Sequence, residues 1–540
     1  MNMKAIKILN RLTNISTLLI MVMLLLLASC ADELDLEPLS AQTSEITFQN
    51  LDAYKQFLAK IYGGISLTGQ DTSGNFDDIA GINGNFSNYL RLFFTTQELA
   101  TDESIIAWND QTIHNIHNHV WTSSDIFITA MYARVYFQIG LVNQFMRETE
   151  PGVLDSRGNV DEALREEIAG FRDEARFMRA LSYWHGIDMF GDIPLVDEND
   201  PVGAFFPEQT SRVEMFNYLE SELLDIESRL PNPRQNEYGR ADKAFVWMLL
   251  AKLYLNAEVY TNTDRYVDAL EYTERIINAG YTLVPEYSYL FLADNDSNGA
   301  EGEIIYPVLF DGIANGSFGG TTYLVHAAIG GNMNAADFGV NSGWAGLRTT
   351  SAFVAKFNDI SGNTDSRAKF HTSGQTLEIE NPFDFTQGYA VTKYRNVDVN
   401  GVIGSDVSGN NVDVNFPMFR LADAYLMYAE IFLRGGGGDA STALLYINLL
   451  RERAYGDASG NIAISDLTLD FILDERSREL YWECHRRTDL IRFGQFSDQG
   501  IWPWKGNIAA GRTTEKFRDL YPMPSAELNA NPNLVPTPGY

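Results

Sequence analysis

At 540 residues, with 45% apolar and 21% charged side chains, the chain has a globular composition and enough length for a large core. Its 72 acidic and 40 basic residues leave a formal net charge of −32, which opposes binding to a nucleic-acid backbone or an anionic lipid surface. Cys30 and Cys484 are the only cysteines, so no disulfide framework is implied.

The first elements form an address. Lys4, Lys7 and Arg11 precede an apolar run at 18–27 that is too short to span a bilayer and suits the core of a secretion signal. Ala28 and Ser29 before Cys30 match a bacterial lipobox, in which the cysteine is acylated and the preceding peptide removed. Residues 1–29 are then a signal peptide. Residues 30–45, opening with the acidic "ADELDLEPLS", are a lipid anchor and tether, and 46–540 form a single domain.

Helical periodicity dominates that domain. "FQNLDAYKQFLAKIYGGI" puts Phe48, Leu51, Tyr54, Leu58 and Ile61 on one face, with Gly63-Gly64 as the expected stop. "DIFITAMYARVYFQIGLVNQFMRE" reads as a long apolar helix. In "DEALREEIAGFRDEARFMRALSYWHGIDMF", Ile168, Phe171, Ala175, Met178 and Leu181 recur at helical spacing. Ser211 with Glu214 is a capping box. "RADKAFVWMLLAKLYLNAEVY" and "RYVDALEYTERIINAGY" form a helical pair. "FRLADAYLMYAEIFLRGGGG", "DASTALLYINLLRERAYG" and "DFILDERSRELYWECHRRTDLIRFG" supply the last helices. The expected fold is mainly α: a scaffold of helical pairs of tetratricopeptide (TPR) type. Between the pairs, residues 281–416 turn rich in Gly, Asn, Asp and Thr and lose helical periodicity. That marks a long irregular insertion, a usual home for a binding site.

Motifs for covalent chemistry are missing. There is no phosphate-cradling P-loop, no G-x-S-x-G nucleophile elbow and no H-E-x-x-H, and no carboxylate pair stands isolated in an apolar setting. The expectation is a protein that is not an enzyme. Cys484 reads as a small, partly buried residue and not a nucleophile. In "HNIHNH", His114, His117 and His119 could hold Zn or Cu, but no fourth ligand has a recognisable spacing and the run also suits an exposed polar loop. "DNDSNG" supplies the opening half of a calcium loop through Asp294 and Asp296. Ile305 stands where the bidentate Glu is due, so a bound Ca²⁺ and a metal-free Asx turn both remain open. No other cofactor is expected.

Aromatic residues are the remaining signal. Most of the 8 Trp, 26 Tyr and 32 Phe must be core, yet Trp108 ("SIIAWNDQ") and Trp344 ("VNSGWAGL") lie in polar or Gly-rich stretches. Flat rings against sugar C–H faces, flanked by hydrogen-bonding groups, are the chemistry of neutral-glycan binding.

Four blocks resemble the SusD/RagB family: "FRDEARFMRALSYWHGIDMFGDIPLV", "FPMFRLADAYLMYAEIFLRGGG", "ILDERSRELYWECHRRTDLIRFG" and the close "LYPMPSAELNANPNLVPTPGY". In the last, Pro536-Thr537 replaces the usual Gln-Asn. The resemblance implies a TPR-based outer-membrane lipoprotein, facing the cell exterior, that caps a SusC-like TonB-dependent transporter and passes it a nutrient. "TTQELATDESIIAWND", "YSYLFLADNDSN", "GGTTYLV" and "NSGWAGL" are similar to starch-binding members of that family, which implies starch or maltooligosaccharide as ligand. On that resemblance Trp108 and Trp344 match stacking aromatics and Arg91 a hydroxyl-binding arginine. Gln111 stands for an Asn and Phe318 for a Tyr, and the loop around Asp294 and Asp296 falls where calcium is expected.

Overall fold

The computed structural model describes residues 47, 48, 50–69 and 77–540. The expected signal peptide, Cys30 and the whole of the 30–45 tether lie outside them. A short N-terminal unit ends at Tyr54, whose ring centroid is 5.0 Å from that of Phe48; the other unit is Lys55–Tyr540.

Helices dominate, and their ends follow from capping chemistry. Asp125 accepts from the Phe127 and Ile128 amides and starts α3 (Ile126–Glu148), while α1 (Leu51–Ser66) and α2 (Tyr89–Gln97) precede it. Asp161 caps α4 (Glu162–Phe190) through the Leu164 amide. The predicted face of α4, Ile168, Phe171, Ala175, Met178 and Leu181, is buried throughout. Each such large apolar side chain contributes about 1.5–3 kcal/mol by leaving water. The Ser211–Glu214 capping box opens α5 (Arg212–Glu227) with both reciprocal bonds made.

After α5 come α6 (Lys243–Leu255) and α7 (Tyr266–Ile277). Neighbours in sequence pack as neighbours in space: α3 on α4, α4 on α5, α6 on α7. Then the chain leaves the helices. It returns at α9 (Leu421–Leu433), which packs on α7 and on the next helix, α10 (Ala440–Tyr455); α8 (Gly320–Ala327) lies within the excursion. The excursion corresponds to the expected insertion. Strand β2 (Ile304–Val308) at its start pairs antiparallel with β4 (Phe416–Arg420) at its end, from Ile304 opposite Arg420 to Val308 opposite Phe416. Two-residue strands β1 (Ile105–Ile106) and β3 (Leu347–Arg348) form another ladder. The backbone between is satisfied locally: Asp359, Asp384, Asp398 and Asp406 each accept backbone N–H groups in tight turns.

Two expectations are corrected. Gly63 and Gly64 do not stop α1, which continues to Ser66. Gly64 instead leaves room for Gln138 of α3: a Cβ there would stand 2.1 Å from its Oε1, while Gln138 Nε2 donates to Ile61 O at 2.6 Å. The last helix is not continuous. It divides into α11 (Leu469–Leu480) and α12 (Arg486–Arg492) across a turn in which Trp482 and Cys484 take positive φ, 62° and 65°. The break aims Glu483 at Lys393 and Arg420 and points the Trp482 indole N–H at Glu103 O, 3.1 Å away. Cys484 is buried, and burial pushes its thiol well up, which suppresses nucleophilicity.

In an open helix Gly→Ala stabilises by about 1 kcal/mol. For Gly64→Ala we expect the opposite sign, a loss of about 1–3 kcal/mol, because the methyl meets Gln138. Urea denaturation measures it, and a Gln138→Ala background is expected to remove most of the loss. A neutral or stabilising Gly64→Ala contradicts this packing.

Candidate functional site: an aromatic cleft

Trp108 and Trp344 lie 236 positions apart, and a two-residue ladder brings them together. Ile105 opposes Arg348, Ile106 opposes Leu347, and the Ala107 amide donates to Gly346 O at 2.8 Å. One residue further, Trp108 Nε1 donates to Trp344 O at 2.8 Å. The ring centroids stand 6.3 Å apart with planes inclined at 43°. Gly346 permits this approach, since a Cβ there would fall 2.5 Å from Cε2 of the Trp108 indole.

The far side of the ladder is seated on the end of α8. Helix-terminal carbonyls have no intrahelical partner. Here the Trp344, Gly346 and Ala345 amides donate to His326, Ala327 and Ile329 O, each at 2.8 Å. The His326 ring stacks on Trp344 at 4.6 Å and 18°. Its Nδ1 lies 2.7 Å from Ser342 O, and burial lowers its pKa, keeping it a neutral platform. Phe318 meets Trp344 edge-on at 6.1 Å and 64°, and is 37% exposed.

Arg91 sits in the first turn of α2, where Asn88 caps its amide at 3.0 Å. Asn88 also accepts from Gly320 N at 3.1 Å and donates to Ser66 O at 2.7 Å, joining α1, α2 and α8. The Arg91 guanidinium carbon lies 4.3 Å from the Tyr323 ring centroid, 4.4 Å from Phe86 and 5.5 Å from Trp108. Nη1 donates to Asn85 O at 2.6 Å and Phe318 O at 2.9 Å. Burial lowers its pKa to about 10, so it remains a cation at neutral pH.

These residues line an open cleft of about 560 Å³. Four expected residues, Arg91, Trp108, Phe318 and Trp344, meet in it. Gln111 does not line it: that side chain is exposed, on left-handed backbone with φ 49°, and the preceding Asp110 lines the cleft instead. Sequence reasoning missed Asn83, Asn85, Phe86 and Asp110 in the wall, and Tyr323 and His326 behind it. The Asx-rich "INGNFSN" ahead of a capped helix was the available signal for the first three.

The other singled-out groups lie elsewhere. Asp294 Oδ1 accepts from Asn298 Nδ2 at 2.9 Å and Oδ2 from Val399 N at 3.2 Å, while Asp296 accepts from Ser297 Oγ at 3.0 Å. Among the described residues no three His, Cys, Asp or Glu side chains form a metal-holding group. The histidine run is not an exposed loop. His117 is buried between Leu99 O and Pro503 O, His119 lies 2.7 Å from Ala100 O, and His114 packs on Phe383. A buried carboxyl pair does exist, Glu98 and Glu103, but its setting is not apolar: Arg486 lies 3.5 Å from Glu103. Burial raises Glu103 to about 7 and Glu98 well above the ordinary range, with the Glu103 charge adding to the latter. Neither lines the cleft. Asp102 beside them pairs with Arg486 at 2.7 and 2.8 Å.

Burial pulls His117 down to about 4. The folded imidazole therefore takes its proton later than the unfolded one, whose pKa is near 6.5. The stability it supports is whole above that value and drains as pH falls toward 4. The deficit of a His117→Asn variant is accordingly expected to shrink over that interval in urea titrations; a pH-independent deficit contradicts the assignment. Gly346→Ala is expected to displace Trp108, read as a red shift of tryptophan fluorescence with little loss of helical circular dichroism.

Comparison with known proteins agrees with this architecture. The sequence profile of the SusD family matches residues 358–540. The chain is 32% identical to the starch-binding protein SusD of Bacteroides thetaiotaomicron, over 95% of this chain and 96% of that protein. It is 27% identical to SusD-like protein P25 of Formosa agariphila, over 71% and 75%. Among solved structures, surface glycan-binding protein A of Bacteroides thetaiotaomicron in complex with laminarihexaose superposes with a TM-score of 0.68 at 20% identity, covering 90% of this chain and 99% of that one. On the strength of the full-length relative, the chain belongs to the SusD family.

Proposed function

We propose that the cleft binds an α-glucan, starch or a maltooligosaccharide, without covalent chemistry. One observation carries the reading: Trp108, Trp344 and Phe318 form an inclined arc of rings around a buried Arg91. The named activity of the 32%-identical relative supports the choice of glucan. The arc offers ring faces to sugar C–H faces, and Arg91 retains N–H groups beyond Nη1 for hydroxyls. Phe318 gives a ring without a hydroxyl. On this reading the protein is lipidated at Cys30, stands on the outer face of the outer membrane and hands the glycan to a SusC-like TonB-dependent transporter. It requires no cofactor, and any calcium held at Asp294 and Asp296 is structural.

Each stacked ring contributes ~1 kcal/mol and each hydrogen bond about the same, so a few contacts give micromolar-to-millimolar affinity for short oligomers. Repeated engagement along a polymer raises the effective affinity.

Trp108→Ala and Trp344→Ala are each expected to weaken maltoheptaose binding about tenfold in calorimetry. Native gels cast with starch are expected to retard the wild type, and gels with xylan to leave it unretarded. Unchanged affinity in both variants sinks the proposal. Retardation by laminarin alone assigns the cleft to a β-glucan, and no retardation in any glycan leaves a purely structural lid.

A further inference from the structure

Trp108 is followed by Asn109 and Asp110, and Asp110 lines the same cleft as Arg91. The two act on each other electrostatically, with the Asp110 charge favouring the Arg91 cation, yet they form no ion pair within 4.0 Å among the described residues. Elsewhere in this chain guanidinium groups close onto nearby acids, as Arg486 does on Asp102 and Arg420 on Glu479. Arg91 cannot swing across: it is wedged between the Phe86 and Tyr323 rings, and Nη1 is committed to Asn85 and Phe318 carbonyls. Asp110 opens a turn in which the Ile113 amide donates to Asp110 O at 3.1 Å. No protein hydrogen bond to the Asp110 carboxylate is made among the described residues. An acceptor-only group and a donor-only group thus face one open volume beside an indole, without satisfying each other.

A sugar diol completes that arrangement. Two adjacent hydroxyls can each donate to one carboxylate oxygen while their own oxygens accept from the guanidinium, and the ring carrying them lies against Trp108. We propose that Asp110, not Gln111, is the specificity-determining acceptor of the cleft, and that with Arg91 it recognises a vicinal diol of a glucose unit. The inference rests on the glucan reading above and names the part of the sugar that is read. It also assigns the cleft a bias: a uronate or a phosphate ester at that position would set a second anion against Asp110, at a cost no neutral glucose bears.

The test is a cycle of variants and ligands by calorimetry. Asp110→Ala is expected to weaken maltoheptaose about tenfold, the value of one charge-assisted contact, and Asp110→Asn by less because one acceptor oxygen remains. Gln111→Ala is expected to change affinity little. With maltoheptaose methylated at O2 and O3, wild type and Asp110→Ala are expected to bind equally weakly. An Asp110→Ala variant that binds the unmodified ligand like wild type overturns the proposal, as does an equal loss on the methylated ligand or a larger loss in Gln111→Ala. Should Trp108→Ala abolish binding while Asp110→Ala leaves it intact, the inference fails and the glucan reading stands. Should no glucan bind the wild type at all, the reading itself fails.

Discussion

Arg420 is wholly buried and holds three carboxylates at once: Glu303 at 2.9 Å, Glu479 at 2.7 Å and Glu483 at 2.6 Å. Arg453 shares Glu303 and Glu479, Arg367 shares Glu479 and takes Glu475 and Asp365, and Lys393 takes Glu483. Burial opposes ionisation of Glu475, but Arg367, Arg478 and Arg451 outweigh it and hold the group at about 2. Such a cluster is weak evidence for net stability, because each ion forfeits several kcal/mol of hydration. Its value lies in uniqueness: losing one partner strands a buried charge and costs about 3–5 kcal/mol, so only one arrangement of these segments is tolerated. Glu303 precedes β2, Arg420 ends β4, Glu475 and Glu479 belong to α11, and Arg367 and Lys393 belong to the irregular excursion. The excursion, which has few ladder bonds of its own, is thereby registered against the helices.

That registration reaches the cleft through the turn between α11 and α12. The Trp482 indole donates to Glu103 O, Ser477 Oγ donates to Glu103 at 2.6 Å, and Arg486 clamps Asp102. Thr350 Oγ1 donates to Asp102 O at 2.5 Å, so the segment before β1 is fixed both to the final helices and to the stretch just after β3. Trp108 extends from a strand pinned on both sides, and Trp344 from a loop bonded to the end of α8. Rings held this way have little rotamer freedom left to lose, so more of each stacking contact survives as affinity.

The helical part of this architecture was legible because it repeats one signal. The buried face of α4 and the Ser211–Glu214 box follow from spacing, and the excursion follows from its loss of periodicity. What spacing could not show was long-range compensation. Gly63-Gly64 reads as a helix stop because nothing nearby in sequence reveals that Gln138 fills the space above Gly64. The division of α11 from α12 depends on where Lys393 and Arg420 wait for Glu483, far from either helix in sequence. Trp108 and Trp344 are joined by a ladder of two residues per strand, too short to leave a pattern. Their pairing was visible only by family resemblance. That resemblance also pointed to Gln111, whereas the left-handed backbone at that position leaves Asp110 on the cleft wall.

The inclination of the rings bears on what shape of chain the cleft can take. The planes of Trp108 and Trp344 meet at 43° and those of Trp344 and Phe318 at 64°, so no single flat surface touches all three. A ribbon-like glycan whose units lie in one plane satisfies one ring and lifts off the next, forfeiting about 1 kcal/mol at each lost stack. A coiled chain turns successive faces in one direction and can meet the rings in order. Curvature alone still does not single out one glucan, since more than one linkage coils. The final discrimination falls to the polar groups, because a site whose buried donors and acceptors are left unpaired by the wrong hydroxyl pattern rejects it more strongly than a misfit ring does. In this cleft those groups are Arg91, already desolvated among rings, and the carboxylate that faces it. On the reading proposed above, shape admits a class of chains, and Arg91 with Asp110 reads the sugar.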